Sequence, residues 1–138
     1  MIVTFCGHRE VAAAKEVRRW LSGVAEQLIL EGADTFYLGG YGGFDRMAAG
    51  VLGELKERYP HIRRVLVQAY LNRKEEAGYD ETLYPELEGT PPRLAIARRN
   101  RWMAERADVM VAYVAHDWGG AAKTLEYAKG KRIFRFPL

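Results

Sequence analysis

The run Thr35-Phe36-Tyr37-Leu38-Gly39-Gly40-Tyr41-Gly42-Gly43-Phe44-Asp45-Arg46 joins a strand-like tetrapeptide to the start of a helical pattern through four of the chain's fourteen glycines. Glycine lets a backbone turn sharply and approach a ligand with no Cβ in the way. At a strand-to-helix junction the first N–H groups of the helix lack intrahelical partners and point outward, an arrangement that holds phosphate or another anion. No Lys-Ser/Thr follows the glycines and the run belongs to the second βα unit, so it is neither a Walker A loop nor the Gly-x-Gly-x-x-Gly fingerprint. A tight turn with no ligand is the competing reading.

Outward from this junction the chain alternates strand and helix. Upstream, Ile2 to Cys6 is an apolar β-branched run ended by Gly7-His8-Arg9-Glu10. A helix over about Ala12 to Glu31 follows, with Val17, Trp20, Leu21, Val24 and Leu28 on one face. Downstream, a helix from about Phe44 to Tyr59 places Met47, Val51 and Leu55 inward and stops at Pro60. A third strand spans about Ile62 to Tyr70. Asn72 to Arg93 has three prolines and little periodicity, and reads as an ordered lid or dimer-contact loop anchored by Tyr79, Leu83, Tyr84 and Leu87, with a short helix over Lys74 to Gly78. Then come a helix from about Arg93 to Ala107, a strand from Asp108 to Ala115, a second glycine junction at His116-Asp117-Trp118-Gly119-Gly120, a helix over about Ala121 to Lys129, and a last strand from Arg132 to Phe136.

This alternation predicts an α/β fold: a mostly parallel, five-stranded sheet with helices on both faces. Right-handed crossovers give strand order 3-2-1-4-5. A ligand would sit at the carboxyl ends of the strands where the order reverses, between strands one and four. Three turns distant in sequence converge there: Gly7-His8-Arg9, Gly39 to Asp45, and His116 to Gly120.

At 138 residues, with 49% hydrophobic and 28% charged residues, one domain spanning 1–138 is expected. A net charge of +3 fits an anionic ligand and is too small to argue for nucleic acid by itself. The lone Cys6 excludes an internal disulfide and suits a reducing compartment. With no signal-peptide pattern and no apolar run of membrane-spanning length, a cytoplasmic protein without membrane association is expected. His8, Cys6, His116 and Asp117 lack metal-ligand spacing, so neither metal nor cofactor is expected.

Four segments resemble a known group: Thr4-Phe5-Cys6-Gly7-His8-Arg9, the Gly-x-x-Gly-Phe-Asp of Gly40 to Asp45, Arg99-Asn100-Arg101-Trp102-Met103, and Gly119-Gly120-Ala121. They are similar to the SLOG branch of Rossmann-like folds, which includes the YpsA-like proteins and is related to DprA and the lonely-guy phosphoribohydrolases. The likeness runs through nearly the whole chain, including Tyr84-Pro85-Glu86-Leu87-Glu88 and Pro91-Pro92-Arg93. It implies a Rossmann-like three-layer α/β/α domain that binds a nucleotide or nucleotide derivative as a sensor or regulatory module, in a bacterial homodimer. Lonely-guy enzymes carry Pro-Gly-Gly-x-Gly-Thr-x-x-Glu. Here Trp118 replaces the proline, Ala122-Lys123 replaces Gly-Thr, and Glu126 keeps register with the glutamate when counted from Gly119.

The expected phosphate and ligand contacts are Gly7, His8, Arg9, Gly39, Gly40, Gly42, Gly43, Phe44, Asp45, His116, Trp118, Gly119 and Gly120, with Arg99 and Asn100 added by the resemblance. Backbone N–H groups of the glycines would take phosphate, and Arg9 could pair with it bidentately. Asp45 binds a ribose hydroxyl, positions water, or only complements the helix N-terminus. His8 donates to phosphate, acts in acid–base chemistry, or shapes its own turn. Trp118 stacks on a base or closes the pocket. Three functions follow: a nucleotide-ligand-binding module; a hydrolase of the N-glycosidic bond using Glu126 or Asp45; and single-stranded nucleic-acid binding through the arginines of the third helix (Arg93, Arg98, Arg99, Arg101, Arg106) and exposed aromatics. The modest charge makes a nucleic-acid partner the least expected.

Overall fold

The computed structural model describes residues 1–71 and 77–138. Its elements are β1 (Ile2–Gly7), α1 (Ala14–Leu30), β2 (Thr35–Leu38), α2 (Gly43–Lys56), β3 (Arg63–Val67), β4 (Glu81–Leu83), a 3-10 turn (Pro92–Leu94), α3 (Ala95–Arg106), β5 (Val109–Tyr113), α4 (Gly120–Tyr127) and β6 (Arg132–Arg135). The strands form one sheet in the order β4-β3-β2-β1-β5-β6, every neighbouring pair parallel. This is the expected α/β architecture and order, extended by one strand.

The extra strand corrects the reading of 72–93 as loop throughout, since Glu81–Leu83 joins the sheet. Glu81-Thr82-Leu83 has no alternation that would mark a strand, and its residues are exposed or half-buried. Neighbouring contacts make it one. Arg63 Nη1 donates to both carboxylate oxygens of Glu81 (3.0 and 2.8 Å), and the Arg64 N–H donates to Asp80 (2.8 Å). Asp80 and Gln68 N–H groups then bond the Arg64 and Leu83 carbonyls (2.9 and 2.8 Å). Tertiary pairing overrides weak local propensity here. The short helix expected over Lys74 to Gly78 lies largely outside the described residues, and Gly78 stands in a turn.

Period-two alternation on the central strands sorts the core into two layers. Val3 and Phe5 of β1 and Val109, Val111 and Tyr113 of β5 face α1 and α2, packing on Val17, Leu21, Leu28, Phe44, Val51 and Leu55. Each such side chain removed from water contributes about 1.5–3 kcal/mol. The opposite face carries Cys6, Met110, Ala112 and Val114 against Ala104, Ala122 and Ala128, small residues that bring α3 and α4 close to the sheet. Because β1 pairs with both β2 and β5, chain connections leave it in opposite directions, and a crevice opens at its carboxyl end. Among the described residues, no helix is long and apolar enough to cross a membrane.

Candidate functional site

A cavity of about 290 Å³ occupies this crevice. The end of β1 and the turn after it contribute Phe5, Cys6, Gly7 and Arg9; the glycine-rich junction contributes Tyr41, Gly42 and Asp45. Ile96, Arg99 and Asn100 of α3, and Gly120, Ala121 and Thr124 of α4, complete the wall. Seven of the expected site residues therefore meet around one space: Gly7, Arg9, Gly42, Asp45, Arg99, Asn100 and Gly120.

The two glycine junctions play different parts. At the start of α2 the Gly43 N–H donates to the Arg9 carbonyl (2.7 Å) and the Phe44 N–H to the His8 carbonyl (3.4 Å). A Cβ on Gly43 would lie 2.5 Å from the Arg9 carbonyl oxygen, and one on Gly42 2.9 Å from the Arg9 Cα. These glycines let two turns pack backbone to backbone, and the first amides of α2 are engaged within the protein. Phe44 is fully buried between Phe5 and Tyr113, so it is a core residue rather than a contact surface. At the start of α4, by contrast, the Gly120, Ala121 and Ala122 amides precede any i−4 carbonyl of their own helix. A Cβ at Gly120 would meet nothing within 4 Å. Thr124 Oγ1 donates back to the Gly120 carbonyl (2.8 Å), which fixes this first turn.

Arg99 is 3% exposed. Its Nη1 donates to the Gly39 and Val67 carbonyls (both 2.9 Å) and its Nε to Asn100 Oδ1 (2.9 Å). It thus ties the ends of β2 and β3 to α3, and Gly39 acts as its acceptor. Asp45 accepts the Tyr41 N–H (3.2 Å). Burial pushes the Asp45 carboxyl up to about 6, although the Tyr41 N–H, the Arg99 guanidinium and the Gly39 N–H all pull it back. Cys6 is buried and its thiol is pushed up to about 12, chiefly by burial with Asp45 adding to it and Arg135 opposing, so it behaves as a small apolar residue. Arg9 is exposed, with its guanidinium 5.7 Å from the centre of the Tyr41 ring.

The remaining expected residues lie elsewhere. Gly40 shapes the junction with φ +67 and does not line the cavity. His8 accepts the Ala115 N–H at Nε2 (2.7 Å) and stacks on His116. Trp118 stacks on the other side of His116 and is 68% exposed. His116, Asp117 and Glu126 line a second space of about 300 Å³ with Lys129 and Arg135, between α4 and β6. Asp45 and Glu126 are therefore not brought to one cavity. Sequence reasoning missed Phe5, Cys6, Tyr41, Ile96, Ala121 and Thr124 as lining residues. Tyr41 stands inside the quoted glycine run, and Ile96 shares a helix face with Asn100, so both signals were present.

No protein-family model and no curated protein matches the sequence. Among solved structures, DNA processing protein A (DprA) from Helicobacter pylori, a protein with its own mode of single-stranded DNA binding, superposes with TM-score 0.70 at 18% identity. The chain shares its fold with DprA. DprA from Streptococcus pneumoniae superposes with TM-score 0.69 at 20% identity. The likeness covers 100% and 98% of this chain, but the chain spans only 66% and 50% of the two DprA chains. At these identities the likeness to DprA concerns the Rossmann-like fold.

Proposed function

We propose that the cavity at the end of β1 binds a nucleotide unit through its phosphate. The observation that carries this reading is the convergence of the α4 amides of Gly120 and Ala121, without a backbone partner among the described residues, with Arg9 and Asn100 around one polar cavity. A helix N-terminus supplies directed N–H groups and a positive dipole end, and an arginine adds charge-assisted bonds. The cavity lies at the lower edge of the range for small-molecule sites. It takes a phosphate and sugar and leaves the base at the surface, where the half-exposed Tyr41 offers a stacking face. This is also the reading implied by the SLOG resemblance, with its YpsA-like sensor side.

The fold shared with the H. pylori protein favours a second form of the same chemistry, in which the nucleotide belongs to a single strand. Strand binding couples a basic track to aromatic stacking. Tyr41, Arg9 and the exposed Arg93 and Arg98 supply both kinds of group, so nucleic acid returns as a partner that the net charge alone argued against. In this cavity lonely-guy-like cleavage would fall to Asp45 alone, since Glu126 lines the other space and is not brought to the proposed nucleotide site.

Native mass spectrometry with a panel of 5′-mononucleotides, alongside titration of a labelled thymidine oligonucleotide at two salt concentrations, tests the reading. One mononucleotide retained per chain supports a module for free nucleotides. Binding of the oligonucleotide alone, falling steeply with salt, supports the strand form. Binding of neither refutes both.

A further inference from the structure

A chain of ring contacts links the turn after β1 to the start of α4. The His8 Nε2 accepts the Ala115 N–H (2.7 Å). A ring nitrogen that accepts is unprotonated, so this bond requires the neutral imidazole, with its proton on Nδ1. His8 stacks on His116 (centroids 4.2 Å apart, 26° between planes), and His116 stacks on Trp118 (3.8 Å, 10°). His116 Nδ1 donates to the Trp118 carbonyl (2.6 Å), closing the loop on itself. A Cβ built on Gly119 would lie 3.6 Å from His116 Cε1, so the residue that leads into α4 stands beside the same ring.

We propose that His8 is a positioning residue: its neutral ring, through Ala115 and His116, sets the 115–119 loop that aims the α4 amides at the cavity, and its protonation releases that loop and weakens anion binding. The consequence for ligand rests on the phosphate site proposed above; the loop contact does not.

The sign separates this role from a direct one. A His8 that touched phosphate would bind it more tightly when protonated. A His8 that must accept a backbone N–H does the reverse. Burial, then the neighbouring His116, lower the His8 pKa from its ordinary 6.5, so the ring is neutral at neutral pH. The folded form therefore binds protons less readily than the unfolded one. The pinning contact is fully present above about 6.5 and is lost as pH falls through the lower folded value. The groups facing His8 are the His116 ring and, edge-on at 5.5 Å, the Tyr113 phenol. Arg9 and Glu10 of its own turn are exposed, with Arg9 turned over Tyr41. Across the cavity Asp45 titrates at about 6 with the opposite consequence, since losing its charge favours an anion.

The test uses sulfate, which stays a dianion between about pH 8 and pH 5, the range in which histidines titrate. Nitrogen-15 NMR of the ligand-free protein follows the His8 ring and the Ala115, Gly119 and Gly120 amides over that range. Sulfate affinity is measured in parallel for the wild type and His8→Gln, whose amide cannot titrate and leaves Asp45 as the background. The three amides should shift together with His8, and the ratio of wild-type to variant affinity should fall about fivefold from the alkaline to the acid end, as expected for one lost hydrogen bond. Amides that stay still while His8 titrates, or a ratio that rises with acid, would overturn the proposal. If sulfate does not bind at all while the amides move with His8, the phosphate site fails and the His8 pin stands.

Discussion

Replacing Arg99 by alanine should be the most damaging single change near the site, and its size follows from the contacts. The guanidinium is buried and donates to at least three acceptors, among them carbonyls at the ends of β2 and β3. Hydrogen bonds from a charged group contribute about 1.5–3 kcal/mol each, and truncating one partner of a buried charged network costs about 3–5 kcal/mol because the other groups are left unpaired. A loss of about 3–5 kcal/mol is therefore expected, a large share of the ~5–15 kcal/mol that holds an ordinary domain together. Arg99→Lys should fall between, since an ammonium cannot reproduce the planar fork. A second consequence concerns Asp45. Arg99 is one of the groups holding the Asp45 carboxyl down to about 6, so without it that carboxyl should titrate higher still. Urea unfolding followed by tryptophan fluorescence measures the first effect, and carbon-13 NMR of the Asp45 carboxyl the second. A loss below about 1 kcal/mol, the level of a single neutral hydrogen bond, would refute the clamp. An Asp45 that titrates lower in the variant would refute the electrostatic coupling.

Asp45→Asn should stabilise the protein at alkaline pH. The folded carboxyl holds its proton to about 6 against an ordinary 3.8, so the wild type loses stability as pH rises through about 6. The variant cannot ionise, and urea unfolding should show it more stable by about 1–3 kcal/mol at pH 8 and equal to the wild type near pH 4. Gly43→Ala should cost about 1–3 kcal/mol, because its Cβ would press on the Arg9 carbonyl at 2.5 Å and part the two turns. Thermal unfolding checks it, and an unchanged melting temperature would mean that the turns can separate freely. Gly120→Ala, with open space before it, should melt like the wild type.

The sheet order was legible because apolar strands and amphipathic helices alternate cleanly from Ile2 to Tyr70 and again from Arg93 to Phe136, and right-handed crossovers leave few alternatives. The candidate cavity lies at the point where that order reverses. The edge strand Glu81–Leu83 was not legible, since backbone bonds to β3 and ion pairs from Arg63 and Arg64 to Glu81 and Asp80, rather than its own pattern, hold it in the sheet. Glycine spacing marked both junctions without distinguishing them. Gly43 serves packing against Arg9, whereas Gly120 faces open space, and that difference lies in contacts between turns remote in sequence. The α3 arginines look alike in sequence. Yet Ala95, Arg99 and Met103 recur at helical spacing and are all buried, so the buried arginine carried a readable phase. Glu126 shows the converse: counting from Gly119 kept its register with a catalytic glutamate, but the helix turns it toward the β6 side of α4.

The most direct test is binding of a 5′-mononucleotide and of a short thymidine oligonucleotide to the wild type and to Gly120→Leu, measured by calorimetry. Gly120 lines the cavity, and a Cβ added there would meet nothing within 4 Å. If the α4 amides hold the phosphate, the variant should melt like the wild type and lose binding of whichever ligand the wild type takes. Undiminished binding by a folded Gly120→Leu would place the ligand elsewhere and contradict the assignment of this cavity.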